Sequence, residues 1–409
     1  MNIFKLSIKN IISKPLNSLL SLSLLILGIG IISLLLQLNS LIKDQMDNNL
    51  KGIDMVVGAK GSPLQLILSA VYHIDSPTGN ISLEEAEKIS KNRMVGSSIK
   101  LLYGDNYNGY RIVGTEKKFV ELYKGEIKDG RLWDKAYEVV IGSKVYEKLN
   151  IKIGDELVSS HGLRETGEAH EDQVYEIVGL LKPTNSVLDQ LILTSPESVW
   201  DIHGEHEHDE EHEHDEEHEH DEEHEHDDDR EITAMLIKFK SPMNIIQFPR
   251  QINQDTNLQA AVPSYEISRL FKLFGFGIET LSYMAYLIII VSGFSLFINL
   301  FNSMRDRRYE MALMRTLGAS RIQLSMMIIF ESLILTILGF VIGLLFSRIG
   351  VMFVSSLMEE SLNYDLNSFL VLNEEFWLLG LSIFIGLISS LIPALQVYKM
   401  NISETLADE

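Results

Sequence analysis

The 409-residue chain contains no cysteine, which removes disulfide frameworks, thiolate metal sites and cysteine nucleophiles together. It also contains no G-x-x-x-x-G-K-[ST] phosphate loop, and Gly58-Ala59-Lys60-Gly61-Ser62 matches that pattern only superficially. The chain is therefore not expected to hydrolyse ATP itself. Between residues 43 and 277 no Ser/His/Asp arrangement, carboxylate pair or glycine-rich nucleotide loop stands out, which argues against an enzyme. Lys and Arg number 35 against 57 Asp and Glu, and nucleic acid is not an expected partner. Charge is missing altogether from residues 15–42, 280–304 and 376–398.

Those three runs, of 28, 25 and 23 residues, are long enough to cross a bilayer. A fourth, 323–353, carries only Glu331 and Arg348, and Arg348 lies near enough to its far end to snorkel. Residues 1–14 place Phe4, Ile8, Ile11 and Ile12 on roughly one helical face, with lysines on the other, as suits a helix lying along the inner interface. The first apolar run is too long for a cleaved signal core and reads as a retained span. Segment 305–322 holds five arginines and is expected in the cytoplasm, whereas 354–375 holds five acids and no Lys or Arg and is expected outside.

The expected fold is membrane α-helical, with four transmembrane helices, N and C termini cytoplasmic, and a large α/β extracytoplasmic domain between the first and second spans. Its boundaries are an interfacial helix at 1–14, spans at 15–42, 278–304, 323–353 and 376–398, the extracytoplasmic domain at 43–277, a cytoplasmic loop at 305–322, an outer loop at 354–375 and a tail at 399–409. Glu331 is the one carboxylate inside the apolar runs. It is read either as the partner of a loop arginine or as a group in conformational coupling.

Within 43–277, Met55-Val56-Val57 opens like a strand and a short apolar helix follows near 64–71, suited to packing or to an apolar cargo. Ser82-x-x-Glu85 has the form of a capping box. Alternating stretches at 99–103, 110–113 and 174–180 predict strands, as do 191–193 and 233–240. His73 reads as a packed or hydrogen-bonded side chain. Residues 203–229 comprise nine His, seventeen acids and Gly204, and hold 17 of the 22 net negative charges. Such a run cannot bury apolar surface and predicts a disordered insertion. Its imidazoles at His206, His208, His212, His214, His218, His220, His224 and His226 stand in pairs two apart, a spacing able to chelate Zn²⁺, Ni²⁺ or Cu²⁺ with carboxylates completing the shell. The bland alternative is a solvated linker built by repeat slippage.

The rest of the chain is arranged around 305–322. Tyr309, Leu313 and Leu317 recur at four-residue steps with Met311 and Met314 beside them, making a short amphipathic helix with a face free to dock on a partner. Gly318 stops it. The run R-x-x-E-M-A-L-M-R-T-L-G-A-S-R, ending at Arg321, resembles the coupling loop of the ABC permeases grouped with the macrolide exporter MacB, the lipoprotein-release proteins and FtsX. The resemblance implies that Arg308, Glu310, Arg315, Gly318 and Ala319 couple to a separate cytoplasmic ABC ATPase, which alone binds ATP. It also implies a second permease subunit in a homodimer or heterodimer, a bacterial inner-membrane location, and a periplasmic adaptor or metal-binding protein as a further partner. Export or release of a substrate is the expected function, with a metal link through the His-rich run. The rivals are a lipoprotein-release permease, a transducer that regulates an extracytoplasmic hydrolase, and a metal sensor.

Overall fold

The computed structural model describes residues 3–13, 15–161, 169–209, 230–362 and 371–400. The chain forms two units, Lys43–Lys272 and the combination of Met1–Ile42 with Leu273–Glu409. In chain order, α1 is Ile3–Ser13 and α2 Pro15–Leu50, followed by β1 Met55–Ala59, α3 Pro63–Ala70, β2 Ile81–Ser82 and α4 Leu83–Ser90. Next come β3 Val95–Tyr107, β4 Tyr110–Thr115, α5 Lys117–Leu122, β5 Ile127–Gly130, β6 Glu138–Ile141 and α6 Ser143–Leu149. The unit continues with β7 Glu156–His161, β8 Ala169–Leu181, β9 Ile192–Thr194, α7 Pro196–Asp209, β10 Glu231–Ile232, β11 Ala234–Phe239, α8 Asn244–Asp255 and β12 Leu258–Ala261. Four helices close the described chain: α9 Pro263–Asp306, α10 Arg308–Thr316, α11 Arg321–Leu362 and α12 Asn373–Lys399.

In the α/β unit a mixed sheet runs β12-β1-β11-β3-β4-β9-β6-β8-β5, with β7 paired to β3 and β8. The β4–β9 and β6–β8 pairs are parallel and the other pairs antiparallel. Period-two side-chain alternation feeds two cores from one sheet. Val56, Leu101 and Leu236 enter one cluster, while their neighbours Met55, Val57, Leu102, Met235 and Ile237 enter another. Helices cover both faces, so β1 reads as a continuous buried run.

Helix α3 starts where the chemistry directs it: Ser62 Oγ accepts the Gln65 N–H and Pro63 sits in the first turn. Its Leu66, Ile67 and Ala70 are fully buried in the core. The apolar face that suggested cargo is thus consumed by packing. In the superficial phosphate-loop match, Lys60 Nζ donates to the carbonyls of Asn253, Thr256 and Leu258, at 2.8, 3.4 and 3.3 Å. It satisfies the end of α8, where backbone oxygens lack helical partners. Ser82 caps α4 through the Glu84 N–H at 3.2 Å, a single cap in place of the expected box with Glu85.

Among the described residues of the other unit, four helices are long and apolar enough to cross a membrane, at Ser18–Leu50, Pro263–Asp306, Arg321–Leu357 and Asn373–Lys399. They meet through small residues. A Cβ on Gly28 would come within 2.7 Å of Ile289 Cγ1, and one on Gly386 within 2.8 Å of Thr336. Serines bridge helices beside these contacts: Ser33 to Ser347 at 3.0 Å, Ser332 to the Gly386 carbonyl at 2.6 Å and Ser389 to the Gly293 carbonyl at 2.9 Å. With no water in hydrocarbon, close backbone approach and interhelical hydrogen bonds replace the hydrophobic drive.

Helix boundaries differ from expectation at several spans, and the helix holding the 15–42 span continues to Leu50. The helix holding the 278–304 span starts at Pro263, and the helix holding 323–353 continues to Leu362, so part of the expected outer loop is helical. Hydropathy marks the apolar stretch, whereas helical hydrogen bonding continues through polar helix-forming residues on either side. Glu375 is not a loop residue but lies in the first turn of α12, and Arg348 does not snorkel. Their side chains are 2% and 12% exposed and form a two-pronged ion pair, with both contacts at 2.8 Å. Ser33 and Gln37 of α2 donate to the same carboxylate at 2.7 and 3.4 Å.

Candidate functional site: a closed helix with an exposed apolar face

The chain leaves α9 at Asp306, resumes as α10 at Arg308 and enters α11 at Arg321. The α10–α11 junction is fixed locally at both of its ends. Gly318 has φ +99°, a conformation that costs glycine little, and the helix ends in a Schellman motif. The Gly318 N–H donates to the Arg315 carbonyl at 3.1 Å, and the Ala319 N–H to the Met314 carbonyl at 3.0 Å. One residue later a capping box opens α11. Ser320 Oγ accepts the Gln323 N–H at 3.2 Å, and Gln323 Oε1 accepts the Ser320 N–H at 2.9 Å. The Ser320-x-x-Gln323 spacing was a sequence signal for this second junction.

Two arginines hold α10 from outside. Arg307 donates to the Asn10 carbonyl in the last turn of α1 at 3.0 Å, and Arg315 to the carbonyl of Met400, the C-cap of α12, at 3.3 Å. Each cation thus meets carbonyls at the negative end of a helix dipole. The long-range partner of Arg307 has no local sequence signature. On one side of α10, Met311 and Ala312 are buried, and Met311 packs with Leu300, Met304 and Leu324. On the other side Tyr309, Leu313 and Leu317 are 45%, 47% and 82% exposed, and Arg308 and Glu310 are exposed with them.

The candidate residues therefore divide. Gly318 terminates α10, Ala319 closes its backbone, Arg315 ties it to the end of α12, and Arg308 and Glu310 flank the open apolar stripe. Glu331 is buried in α11. His206 and His208 lie on the last part of α7, while His212, His214, His218, His220, His224 and His226 lie outside the described residues. Among the described residues no three His, Asp or Glu side chains gather as a metal site. In the α/β unit His73 Nδ1 is 3.0 Å from Tyr103 Oη, with the Arg111 guanidinium 4.9 Å above the Tyr103 ring. Burial, and then the Arg111 charge, hold its pKa well below the usual imidazole range, so His73 is neutral.

Residues 18–254 match the family model of the MacB-like periplasmic core domain, more than half of the chain, and residues 282–402 match that of the FtsX-like permease C-terminal region. The chain belongs to the MacB/FtsX-like ABC permeases. No curated protein matches it. The periplasmic region of MacB from Actinobacillus actinomycetemcomitans is similar at 10% identity and TM-score 0.33, over 54% of this chain and 95% of that one. The extracellular domain of the noncanonic ABC-type transporter YknZ from Gram-positive bacteria is similar at 13% identity and TM-score 0.31, over 50% and 98%. As a MacB/FtsX-like permease the chain is a multi-pass inner-membrane protein and the membrane subunit of an ABC transporter. In this family the ATPase activity lies in a partner subunit.

Proposed function

We propose that this permease takes up the force of ATP hydrolysis through α10 and uses it to move its α/β domain, exporting or releasing a substrate outside the inner membrane. The exposed stripe Tyr309, Leu313 and Leu317, on a helix whose C-terminal end is closed by a Schellman motif, is the observation that carries this reading. A rigid short helix with one anchored face and one open apolar face suits a groove in a cytoplasmic ABC ATPase, with Arg308 and Glu310 selecting the register. Both termini and α10 are then cytoplasmic, a sidedness that the arginine content of 305–322 supports. A second permease subunit, identical or related, completes the transporter, with a periplasmic adaptor as a further partner.

Because the chain has no cysteine, sidedness is testable with single-cysteine variants. Leu317→Cys is expected to resist a membrane-impermeant maleimide in intact cells, and Lys152→Cys, exposed in the α/β unit, to react. Reaction of both, or of Leu317→Cys alone, would refute the arrangement.

The HEHDEE repeat of 203–229 supports a second element of the proposal, a loose collection of Zn²⁺, Ni²⁺ or Cu²⁺ outside the membrane. Imidazole binds metal only when neutral, so uptake is expected to fall below about pH 6.5. Calorimetric titration of the loop peptide with zinc is expected to give saturable heat at pH 7.5, and its absence would remove the metal link.

A further inference from the structure

In the α/β unit a cleft of about 420 Å³ lies beside the end of α2. Three lysines line it: Lys51, directly after α2; Lys124, two residues after α5; and Lys182, directly after β8. Glu126 is the one carboxylate on its wall, in a chain whose net charge is −22. Leu122, Tyr123 and Pro183 supply apolar wall.

The lysines are incompletely used by the protein. Lys182 Nζ reaches Glu126 at 2.8 Å, but these side chains are 53% and 71% exposed. Such a pair is worth little and exchanges readily with another anion. Lys51 Nζ donates to a neutral amide, Asn48 Oδ1, at 2.5 Å. Among the described residues the Lys124 side chain has no hydrogen-bond or ionic partner. Its backbone is fixed by the end of α5: Lys124 has φ +54° and closes the helix in a Schellman motif, its N–H donating to the Glu121 carbonyl at 3.0 Å and the Gly125 N–H to the Val120 carbonyl at 2.8 Å.

The walls are held in place independently of any ligand. Buried Asn49 accepts the Val187 N–H at 3.0 Å, and its own carbonyl accepts from Tyr123 Oη at 3.1 Å. Buried Asp189 accepts the Thr184 and Asn185 N–H groups at 2.8 and 2.7 Å. The cationic rim thus stands on fixed segments, as a binding site needs.

We propose that this cleft binds a phosphate-bearing amphiphile, with the phosphate among Lys51, Lys124 and Lys182 and the apolar portion against Leu122, Tyr123 and Pro183. Lysine binds phosphate as a point charge, and the cleft is of ligand size. A membrane phospholipid and a soluble phosphate compound share the phosphate chemistry and differ in the apolar part. The inference stands apart from the docking of α10, because it concerns the permease alone without ATP or ATPase.

The full chain in phosphate-free dodecyl maltoside can be titrated with dihexanoylphosphatidylglycerol and, separately, with inorganic phosphate. One saturable site per chain is expected for the amphiphile, with inorganic phosphate at least about tenfold weaker. Lys124→Gln/Lys182→Gln is expected to weaken the amphiphile at least about tenfold, and Lys124→Arg/Lys182→Arg to stay within about threefold of wild type. Unchanged unfolding midpoints in both variants separate loss of the site from loss of fold. Absence of saturable binding, binding unaffected by the glutamine pair, or equal affinity for the two probes would each overturn the proposal, the last in favour of a soluble oxyanion.

Discussion

The two units bury polar groups in different settings. In the α/β unit aliphatic and aromatic clusters pack on the sheet, buried polar side chains such as Asp105, Arg111, Asp189 and Thr194 bond to backbone or to neighbouring side chains, and the Arg131–Glu138 ion pair sits where arginine is half exposed. In the membrane unit serines are buried at most helix contacts, and an arginine and a glutamate are paired inside the bundle. Water explains the contrast. The α/β unit gains stability by removing apolar surface from it, whereas lipid tails compete equally for apolar side chains, leaving close packing and polar contacts to hold the spans. The same residue type therefore has a different role on each side of the unit boundary.

The sharpest way to break this comparison is to strand one partner of the buried ion pair. Arg348→Leu or Glu375→Leu is expected to cost roughly 3–5 kcal/mol, and the double variant to recover most of that. Unfolding in detergent followed by denaturant titration would measure it, and a double variant as weak as the singles would refute the pairing. In the aliphatic core Leu101→Ala is expected to cost about 2–5 kcal/mol, read from thermal unfolding. A loss below about 1 kcal/mol would mean that the sheet interior is looser than its burial implies.

Glu138 gives the comparison a pH dependence. Its hydrogen bonds from Arg131, then those from the Asp134 and Lys135 N–H groups, lower its pKa from 4.5 to about 2 against an opposing effect of burial. A carboxylate whose pKa is depressed on folding stabilises the fold above its unfolded value and loses that contribution as pH falls through the folded value. Wild type is therefore expected to lose α/β-unit stability between about pH 4.5 and 2 more steeply than Glu138→Gln, as followed by circular dichroism. Parallel acid curves would contradict the assignment.

Smaller effects belong to the junctions and helix contacts. Ser320→Ala and Gly318→Ala are each expected to cost about 1 kcal/mol, and hydrogen exchange should detect them as fraying confined to 308–323. Ser389→Ala in the bundle is expected to cost only about 0.6 kcal/mol, and a loss several times larger in denaturant titration would place that contact among the principal supports of the spans.

How far the sequence foretold this architecture follows the range of each interaction. The α10 stripe, the Gly318 stop, the Met55–Val57 strand and four apolar runs were legible because each is a local periodicity or a single-residue conformational requirement. The Arg348–Glu375 pair was not, because its partners lie 27 residues apart on α11 and α12, and acids flanking a span look like loop. Neither was the tie of Arg307 to Asn10, which spans 297 residues. Lys60 showed the converse, a local motif with the look of a phosphate loop whose actual partner is the end of α8. Among the candidate coupling residues, sequence identified the segment, but only the fold separated side chains that shape α10 from those it presents.

The proposed docking of a cytoplasmic ATPase on α10 is tested most directly by placing a photo-crosslinking amino acid at Leu313 of the full permease in its own cells. Irradiation is expected to join the chain to a protein bearing a Walker A motif, and Leu317→Glu, on the same stripe, to reduce that product at least about tenfold. An undiminished product in the Leu317→Glu variant, or crosslinks only to proteins without a nucleotide-binding motif, would contradict it.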